Sequence, residues 1–184
     1  MKRAWKQEGV QWMQIIGCGI ILAVCVRIFF FSTYVVEGKS MMPTLQDGNM
    51  IVINKLGYDV GSLHRFDVVV FHANEKEDYV KRIIGLPGDT IEYIRDRLYI
   101  NGKLMKEPYL DRFKAEMMGG HLTDDFTLEE VTGKMKVPKD SVFLLGDNRL
   151  RSWDSRYFGF VKIEKIVGKV DLRYWPINEV STAF

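Results

Sequence analysis

The pattern of apolar and polar residues changes near residue 31, from one long apolar segment to short apolar runs separated by polar turns. Residues 12–31 are mostly apolar on every side of a helix, and twenty helical residues span about 30 Å, the thickness of a bilayer core. Gln14 lies near the start of this segment. Arg27 lies near its end, where a long side chain can reach the membrane interface. We therefore predict a transmembrane helix over residues 12–31, preceded by residues 1–11.

Three basic residues and one acidic residue precede the apolar segment: Lys2, Arg3, Lys6 and Glu8. The positive-inside rule then predicts a single-pass protein in the cell membrane, with a cytoplasmic N-terminus and with residues 32–184 outside. A cleaved secretory signal is an alternative, but Phe29–Tyr34 does not supply the small residues that cleavage requires. A lipoprotein processing site at Cys25 also fits poorly, because Val24 is too large for the position before the cysteine.

Beyond this segment, short runs of β-branched and aromatic residues alternate with glycine-bearing turns, which predicts a mainly β, sheet-rich domain. The predicted strands are Tyr34–Glu37, Met50–Asn54, Asp67–Phe71, Tyr79–Ile84, Thr90–Ile94, Arg97–Ile100, Ser141–Leu145 and Ile166–Tyr174. Asn101-Gly102 between two short strand-like runs is typical of a type I′ hairpin. Residues 90–139 are richer in charge, and we predict that they form a smaller β lobe inserted into the main domain.

Composition excludes several classes of protein. The net charge of +2 gives no strong basic field for nucleic acid, and an apolar fraction of 47% argues against disorder. Both cysteines, Cys18 and Cys25, lie inside the apolar segment, so residues 32–184 must fold without disulfides.

A serine follows the apolar segment in Gly38-Lys39-Ser40-Met41-Met42-Pro43. Taken alone, a serine before a proline is most often an ordinary turn residue. A hydroxyl becomes a good nucleophile only when a neighbouring base removes its proton. Pro43 stiffens this turn, and Gly38 allows a substrate backbone to approach closely.

Lys81 is the base that the sequence offers. A free lysine has a pKa near 10.4, and burial among apolar side chains lowers that pKa. Val80 and Ile83 provide apolar neighbours on a predicted strand whose alternation separates Lys81 from Arg82. An isolated strand lysine is more often exposed, so this interpretation depends on the pairing with Ser40.

Four segments, in order and in spacing, resemble the family boxes of bacterial type I signal peptidases, and the compact chain with one anchor resembles their Gram-positive form. The segments are Ser40–Leu45, Asp67–Phe71, Tyr79–Asp89 and Gly146–Gly159. The resemblance implies a membrane-bound Ser/Lys endopeptidase, without metal or other cofactor, that removes signal peptides from exported preproteins. Its implied partners are these preproteins and the lipid bilayer.

The resemblance also implies roles for individual residues. Ser40 would be the nucleophile that forms an acyl-enzyme, with its own backbone N–H stabilising the oxyanion, and Lys81 would be the general base. Ser152 would hydrogen-bond the Lys81 amine. The implied structural ion pairs are Asp154 with Arg156, and Asp147 with Arg82. The residues implied to line shallow pockets for small side chains one and three places before the cut are Tyr34, Val36, Met41, Leu45, Tyr79 and Val80.

Two positions depart from the family pattern. Gly38 lacks the hydroxyl that assists the oxyanion in some members, as in the Gram-positive branch. Leu150-Arg151 stands beside Ser152 where small polar residues are usual.

Other hydrolase chemistries find less support. None of His64, His72 and His121 lies in a Ser-His-Asp triad motif. The sequence contains no His-Glu-x-x-His run, which is the motif of a zinc hydrolase. A Ser-x-x-Lys motif is also absent, because Pro43 stands three residues after Ser40, where that motif has its lysine. A self-cleaving SOS-type regulator would carry a DNA-binding domain in place of an anchor. Two alternatives stay open: an inactive membrane-anchored relative that binds exported segments, and another Ser/Lys membrane protease.

Overall fold

The structure is a computed structural model that describes residues 12–22, 24, 31–55, 63–116 and 120–184. Residues 12–22 and 24 are helical, and their apolar side chains are exposed. Within the described ranges, we find no helix with the length and apolar character needed to cross a bilayer. Part of the predicted span 12–31, and the whole of residues 1–11, lie outside those ranges.

Eleven strands form two sheets in the described part of the chain. Their bounds are β1 Phe31–Val35, β2 Met50–Asn54, β3 Val68–His72, β4 Asp78–Gly85, β5 Ile91–Ile94, β6 Arg97–Ile100, β7 Lys103–Met105, β8 Phe126–Thr127, β9 Ser141–Leu145, β10 Val161–Lys162 and β11 Ile166–Trp175. The main sheet has the order β1–β2–β11–β3–β4–β9–β10, and the second sheet has the order β7–β6–β5–β8. All of these pairings are antiparallel, and the register of β11 shifts against both of its neighbours. Such shifts bend a strand and allow a sheet to curl.

Short helical segments connect the strands. The α-helices are α1 Asp111–Glu116, α2 Leu128–Thr132 and α3 Ser155–Phe158, and the 3₁₀ turns are Pro108–Leu110, Ile163–Lys165 and Ile177–Glu179. Helix α2 begins with a capping box between Thr127 and Glu130, which satisfies the first free backbone N–H groups of the helix. Helix α3 is capped by the Asp154 side chain.

The prediction of a mainly β chain is confirmed. Met50–Asn54, Arg97–Ile100 and Ser141–Leu145 have the predicted bounds. The first strand begins and ends earlier than predicted, because its pairing with β2 stops at the Val35↔Met50 pair, where β2 begins. Strands β8 and β10 have two residues each, which is too short for an alternation to reveal them.

The second sheet lies within the predicted lobe, between β4 and β9. Asn101 and Gly102 both have positive φ, at 51° and 75°, which is the backbone conformation of a type I′ turn and confirms the predicted hairpin. One core cluster joins this sheet to the main one, since Tyr93 and Phe126 pack with Phe143 of β9. The lobe therefore shares a core with the main sheet.

A buried polar network also joins the two sheets. The Arg149 guanidinium lies 2.6 Å from the Glu107 carboxylate, and both side chains are almost fully buried. The hydroxyls of Tyr93 and Tyr109 donate to the same carboxylate oxygen, at 2.7 and 2.8 Å. Burial raises the pKa of Tyr93 well above its ordinary value, so its hydroxyl stays a donor. The Arg149 Nε donates to the Gly146 carbonyl, so the network reaches the loop after β9.

The Glu107→Ala substitution tests this network. It leaves the buried Arg149 charge without a carboxylate, so we expect the free energy of unfolding to fall by about 3–5 kcal/mol. The measurement is chemical denaturation of the full chain in detergent, followed by tryptophan fluorescence. The matched control is Glu92→Ala at an exposed position of β5. There the free energy of unfolding should change by no more than about 0.5 kcal/mol. Equal losses in the two variants would contradict the network.

Candidate active site

Ser40 and Lys81 lie next to each other beside an interior strand of the main sheet. Ser40 lies in the turn that follows β1, and Lys81 lies in the middle of β4. The Lys81 Nζ donates to the Ser40 Oγ at 2.9 Å and to the Val80 carbonyl oxygen at 2.9 Å. The predicted pair is therefore brought into hydrogen-bonding contact.

The position of Lys81 in the sheet explains its burial. Strand β4 lies between β3 and β9, and Lys81 pairs with Val69 across the β3 ladder. The side chain is nearly inaccessible, with 4% of the residue exposed. Burial lowers the pKa of Lys81 to about 8, although the negative charges of Asp154 and Asp147 act in the opposite direction. The amine is thus far easier to deprotonate than a free lysine.

The neighbouring Arg82 is buried with a full set of partners. Its Nε and Nη2 donate to the two carboxylate oxygens of Asp147, at 2.8 and 2.6 Å. Its Nη1 donates to the Phe66 carbonyl, and its guanidinium lies over the Tyr109 ring at 3.9 Å. Asp147 also accepts from the Thr44 hydroxyl, so the pair ties the Ser40 turn to the loop after β9.

Asp154 and Arg156 form a second bidentate pair. Arg156 Nε and Nη2 each donate to an Asp154 oxygen at 2.9 Å. Asp154 also accepts from the Gly146 N–H, and Arg156 donates to the Arg149 carbonyl. Because Asp154 begins α3, this pair fixes the helix against the loop of residues 146–149.

Ser152 does not make the predicted hydrogen bond to Lys81. Its hydroxyl is buried and has no hydrogen-bond partner among the described residues, while the Lys81 amine donates to Ser40 and Val80. Ser152 instead packs against Gly146, where an added Cβ would overlap both the Ser152 hydroxyl and the Ser40 carbonyl oxygen. The lack of a side chain at residue 146 therefore lets Ser152 approach the Ser40 backbone.

A cleft of about 310 Å³ opens beside Ser40 and Lys81. The predicted residues that line it are Tyr34, Val36, Met41, Tyr79 and Val80. Leu45, which was also predicted to line a pocket, is not among the residues that line this cleft. It is fully buried in the core cluster that contains Ile51 and Ile53.

The cleft has further walls that the sequence reasoning missed, among them Val70, Asp78, Arg151 and Trp153. The Tyr34 hydroxyl donates to the Asp78 carboxylate at 2.9 Å, which joins two lining residues from β1 and β4. Burial, and then this hydrogen bond, raises the pKa of Tyr34 to about 12. Asp78 lies three residues before Lys81 on the same strand, and strand alternation assigns that spacing to opposite faces, so the pattern did not suggest its place.

The histidines of the described residues lie elsewhere. His72 is exposed and its Nδ1 lies 2.6 Å from Asp78, while His64 lies near Asp67. Within the described ranges, no three His, Cys, Asp or Glu side chains form a group that could hold a metal ion. The chemistry that this arrangement supports is proton transfer between an amine and a hydroxyl beside the cleft.

Comparison with known proteins identifies the family of the chain. Residues 9–175 match the family described as signal peptidase, peptidase S26. The chain is 57% identical to signal peptidase I of Bacillus caldolyticus over the whole length of both proteins. It is 41% identical to signal peptidase IB of Staphylococcus aureus, over 97% of this chain and 96% of that protein.

A solved structure gives the same result. The crystal structure of a signal peptidase I from Enterococcus faecalis is 46% identical and superposes with a TM-score of 0.56, covering 59% of this chain and 96% of that chain. The family match spans most of the chain, and the relatives match over nearly their full lengths. This chain belongs to the signal peptidases of family S26.

Proposed function

We propose that this signal peptidase is a membrane-anchored serine endopeptidase that removes signal peptides from exported preproteins by means of Ser40 and Lys81. The observation that carries the proposal is the 2.9 Å contact between the Lys81 amine and the Ser40 hydroxyl. It joins a weak nucleophile to a base whose pKa is lowered to about 8 by burial. The family supports signal-peptide removal, and the contact supports the assignment of the two residues.

The proposed reaction has two stages. Neutral Lys81 takes the hydroxyl proton as the Ser40 oxygen attacks the scissile carbonyl, and then gives that proton to the leaving amine. In the second stage Lys81 activates a water that hydrolyses the acyl-enzyme. The Ser40 backbone N–H stabilises the oxyanion in both stages. Only the neutral amine can accept the first proton, so the competent fraction increases as the pH rises through about 8.

The two buried ion pairs have a supporting role in this proposal. Arg82 with Asp147, and Asp154 with Arg156, hold the Ser40 turn, the loop of residues 146–149 and α3 together. Neither pair contacts the Lys81 amine directly, but both carboxylates oppose the lowering of its pKa. A carboxylate in direct contact with the Lys81 amine would stabilise its charged form, so the lowered pKa requires that Asp147 and Asp154 bind other groups.

The cleft supports a preference for small side chains one and three places before the cut. Val36, Met41 and Val80 provide apolar walls, and the hydrogen bond between Tyr34 and Asp78 brings two of the lining residues together. An extended peptide directs alternate side chains to the same face, so its first and third residues before the cut enter the cleft together.

We also propose that residues 12–31 anchor the enzyme, with residues 32–184 as the catalytic domain outside the cell membrane. The apolar character of residues 12–31 and the basic residues before them support this topology. An anchor confines the enzyme to the bilayer that holds its substrates, which raises the effective concentration without tight binding.

Three substitutions test the catalytic pair. We expect Ser40→Ala and Lys81→Ala each to reduce cleavage of a precursor with an Ala-x-Ala site by more than about a thousandfold. Lys81→Arg should fail as well, because a guanidinium does not lose its proton in the working pH range. The measurement is kcat/KM on a fluorogenic precursor peptide, with circular dichroism to establish that each variant is folded.

The matched controls are Ser181→Ala and Lys136→Ala, which remove the same functional groups from positions outside the cleft. An active-site acylating inhibitor should also add its mass to Ser40 in the wild type and to no residue in Ser40→Ala. Near wild-type cleavage by Lys81→Ala would rule out the assignment of the base.

The state of the Lys81 amine can be measured without any assay of activity. With ¹³C-labelled lysine, the Cε signal that disappears in Lys81→Ala should titrate with a midpoint near 8, because burial disfavours the charged form. A midpoint near 10.4, the value of a free lysine, would mean that the amine stays cationic and that the proposed base is wrong.

The proposed topology predicts which sites a membrane-impermeant maleimide can reach. In a chain whose Cys18 and Cys25 are replaced by alanine, Lys136→Cys should be labelled in intact cells, because it lies in the proposed outer domain. Lys6→Cys is the matched probe on the other side, and it should be labelled only after permeabilisation. Labelling of Lys6→Cys in intact cells would reverse the topology.

A further inference from the structure

Two exposed cations line the cleft beside Ser40. Lys39 and Arg151 are exposed, and both are among the lining residues. Among the residues that the structure describes, neither side chain forms an ion pair or a hydrogen bond. Arg82, Arg149 and Arg156, in contrast, are each bound to a carboxylate. The charges of Lys39 and Arg151 are thus free to meet a ligand.

The backbone places both cations on the Ser40 side of the cleft. Asn148 N–H donates to the Ser40 carbonyl, and the Asn148 side-chain amide donates to the Lys39 carbonyl. The Arg151 N–H in turn donates to the Asn148 carbonyl. The loop that carries Arg151 therefore lies directly against the backbone of the Ser40 turn.

The acidic residues of the cleft lie toward β1 and β4. Asp78 precedes Lys81 by three residues on β4, a separation of about 10 Å along a strand. Its carboxylate is occupied by Tyr34 and His72. Glu37 follows β1 and is exposed at the cleft. Most of the apolar residues proposed to receive side chains before the cut belong to these same two strand regions.

We propose that Arg151, together with Lys39, selects preproteins with an acidic side chain at the first or second residue after the cut. This inference rests on the proposed function, which assigns the β1 and β4 side to residues before the cut. A peptide bound there leaves the site past the Ser40 turn, where Lys39 and Arg151 lie. An arginine guanidinium presents paired N–H donors that match a carboxylate.

A phosphate group of a lipid headgroup would satisfy the same cations. The substrate is favoured because Arg151 and Lys39 line the cleft that contains Ser40 and Lys81. The role of Arg151 is therefore to determine specificity, through a contact with the leaving part of the substrate.

The test uses the full chain in neutral detergent and three precursor peptides that differ only in the second residue after the cut: Asp, Asn or Lys. We expect wild-type kcat/KM to be about threefold to tenfold higher for the Asp peptide than for the Lys peptide, the size of one or two exposed ion pairs. The Arg151→Glu variant should lower this ratio to about one, because the new carboxylate offsets the remaining charge of Lys39. Raising the salt concentration to about 1 M should bring the wild-type ratio toward one.

The matched control is Lys136→Glu, which changes the net charge by the same amount at an exposed site outside the cleft. It should keep the wild-type ratio. A second peptide series carries the same three residues at the second position before the cut, and its ratio should not depend on Arg151.

The outcomes separate the two proposals. If no peptide is cleaved, the proposed function fails. If peptides are cleaved but Arg151→Glu keeps the wild-type ratio, or if the ratio follows the position before the cut, the inference is overturned. The inference is also overturned if Arg151→Glu weakens only the binding of the protein to phosphatidylglycerol vesicles. That result would mean that Lys39 and Arg151 bind lipid headgroups and not the substrate.

Discussion

The burial of one amine without a carboxylate partner is the constraint on which the site depends. Lys81 and Arg82 are consecutive residues of β4, and the alternation of the strand gives them different surroundings. Arg82 meets both oxygens of Asp147, and such a pairing stabilises a buried charge. Lys81 meets a hydroxyl and a carbonyl, and neither stabilises an ammonium as a carboxylate does. The fold thus stabilises the charged form of Arg82 and disfavours the charged form of the neighbouring Lys81.

Much of this arrangement could be predicted from the sequence. The strands of the main sheet other than β10 follow from their β-branched and aromatic runs, and the type I′ hairpin follows from Asn101-Gly102. The proximity of Ser40 and Lys81, which are 41 residues apart, came from the resemblance of ordered segments, because spacing alone does not bring two residues together. The alternation that separates Lys81 from Arg82 also puts Val80 and Tyr79 on different sides of the sheet, and these two residues pack against separate core clusters.

Other features depend on tertiary contacts that no local pattern encodes. A leucine two residues after a proline can line a cleft or enter the core, and only the path of the turn places Leu45 inside. The Ser152 hydroxyl faces Gly146, which depends on how two loops pack. Arg149 and Glu107 lie 42 residues apart, in parts of the chain with no shared motif, so their pairing was not foreseen. The two-residue strands carry too little sequence for any period to be read.

The buried ion pair between Arg149 and Glu107 has a consequence for the unfolding of the protein. One guanidinium is bound at once to the second sheet and to the Gly146 carbonyl beside the Ser40 turn. Opening of the lobe would break these bonds and would also expose the core cluster that the two sheets share. We therefore expect the two sheets to melt in one cooperative transition, without a stable partly unfolded form that keeps the cleft intact.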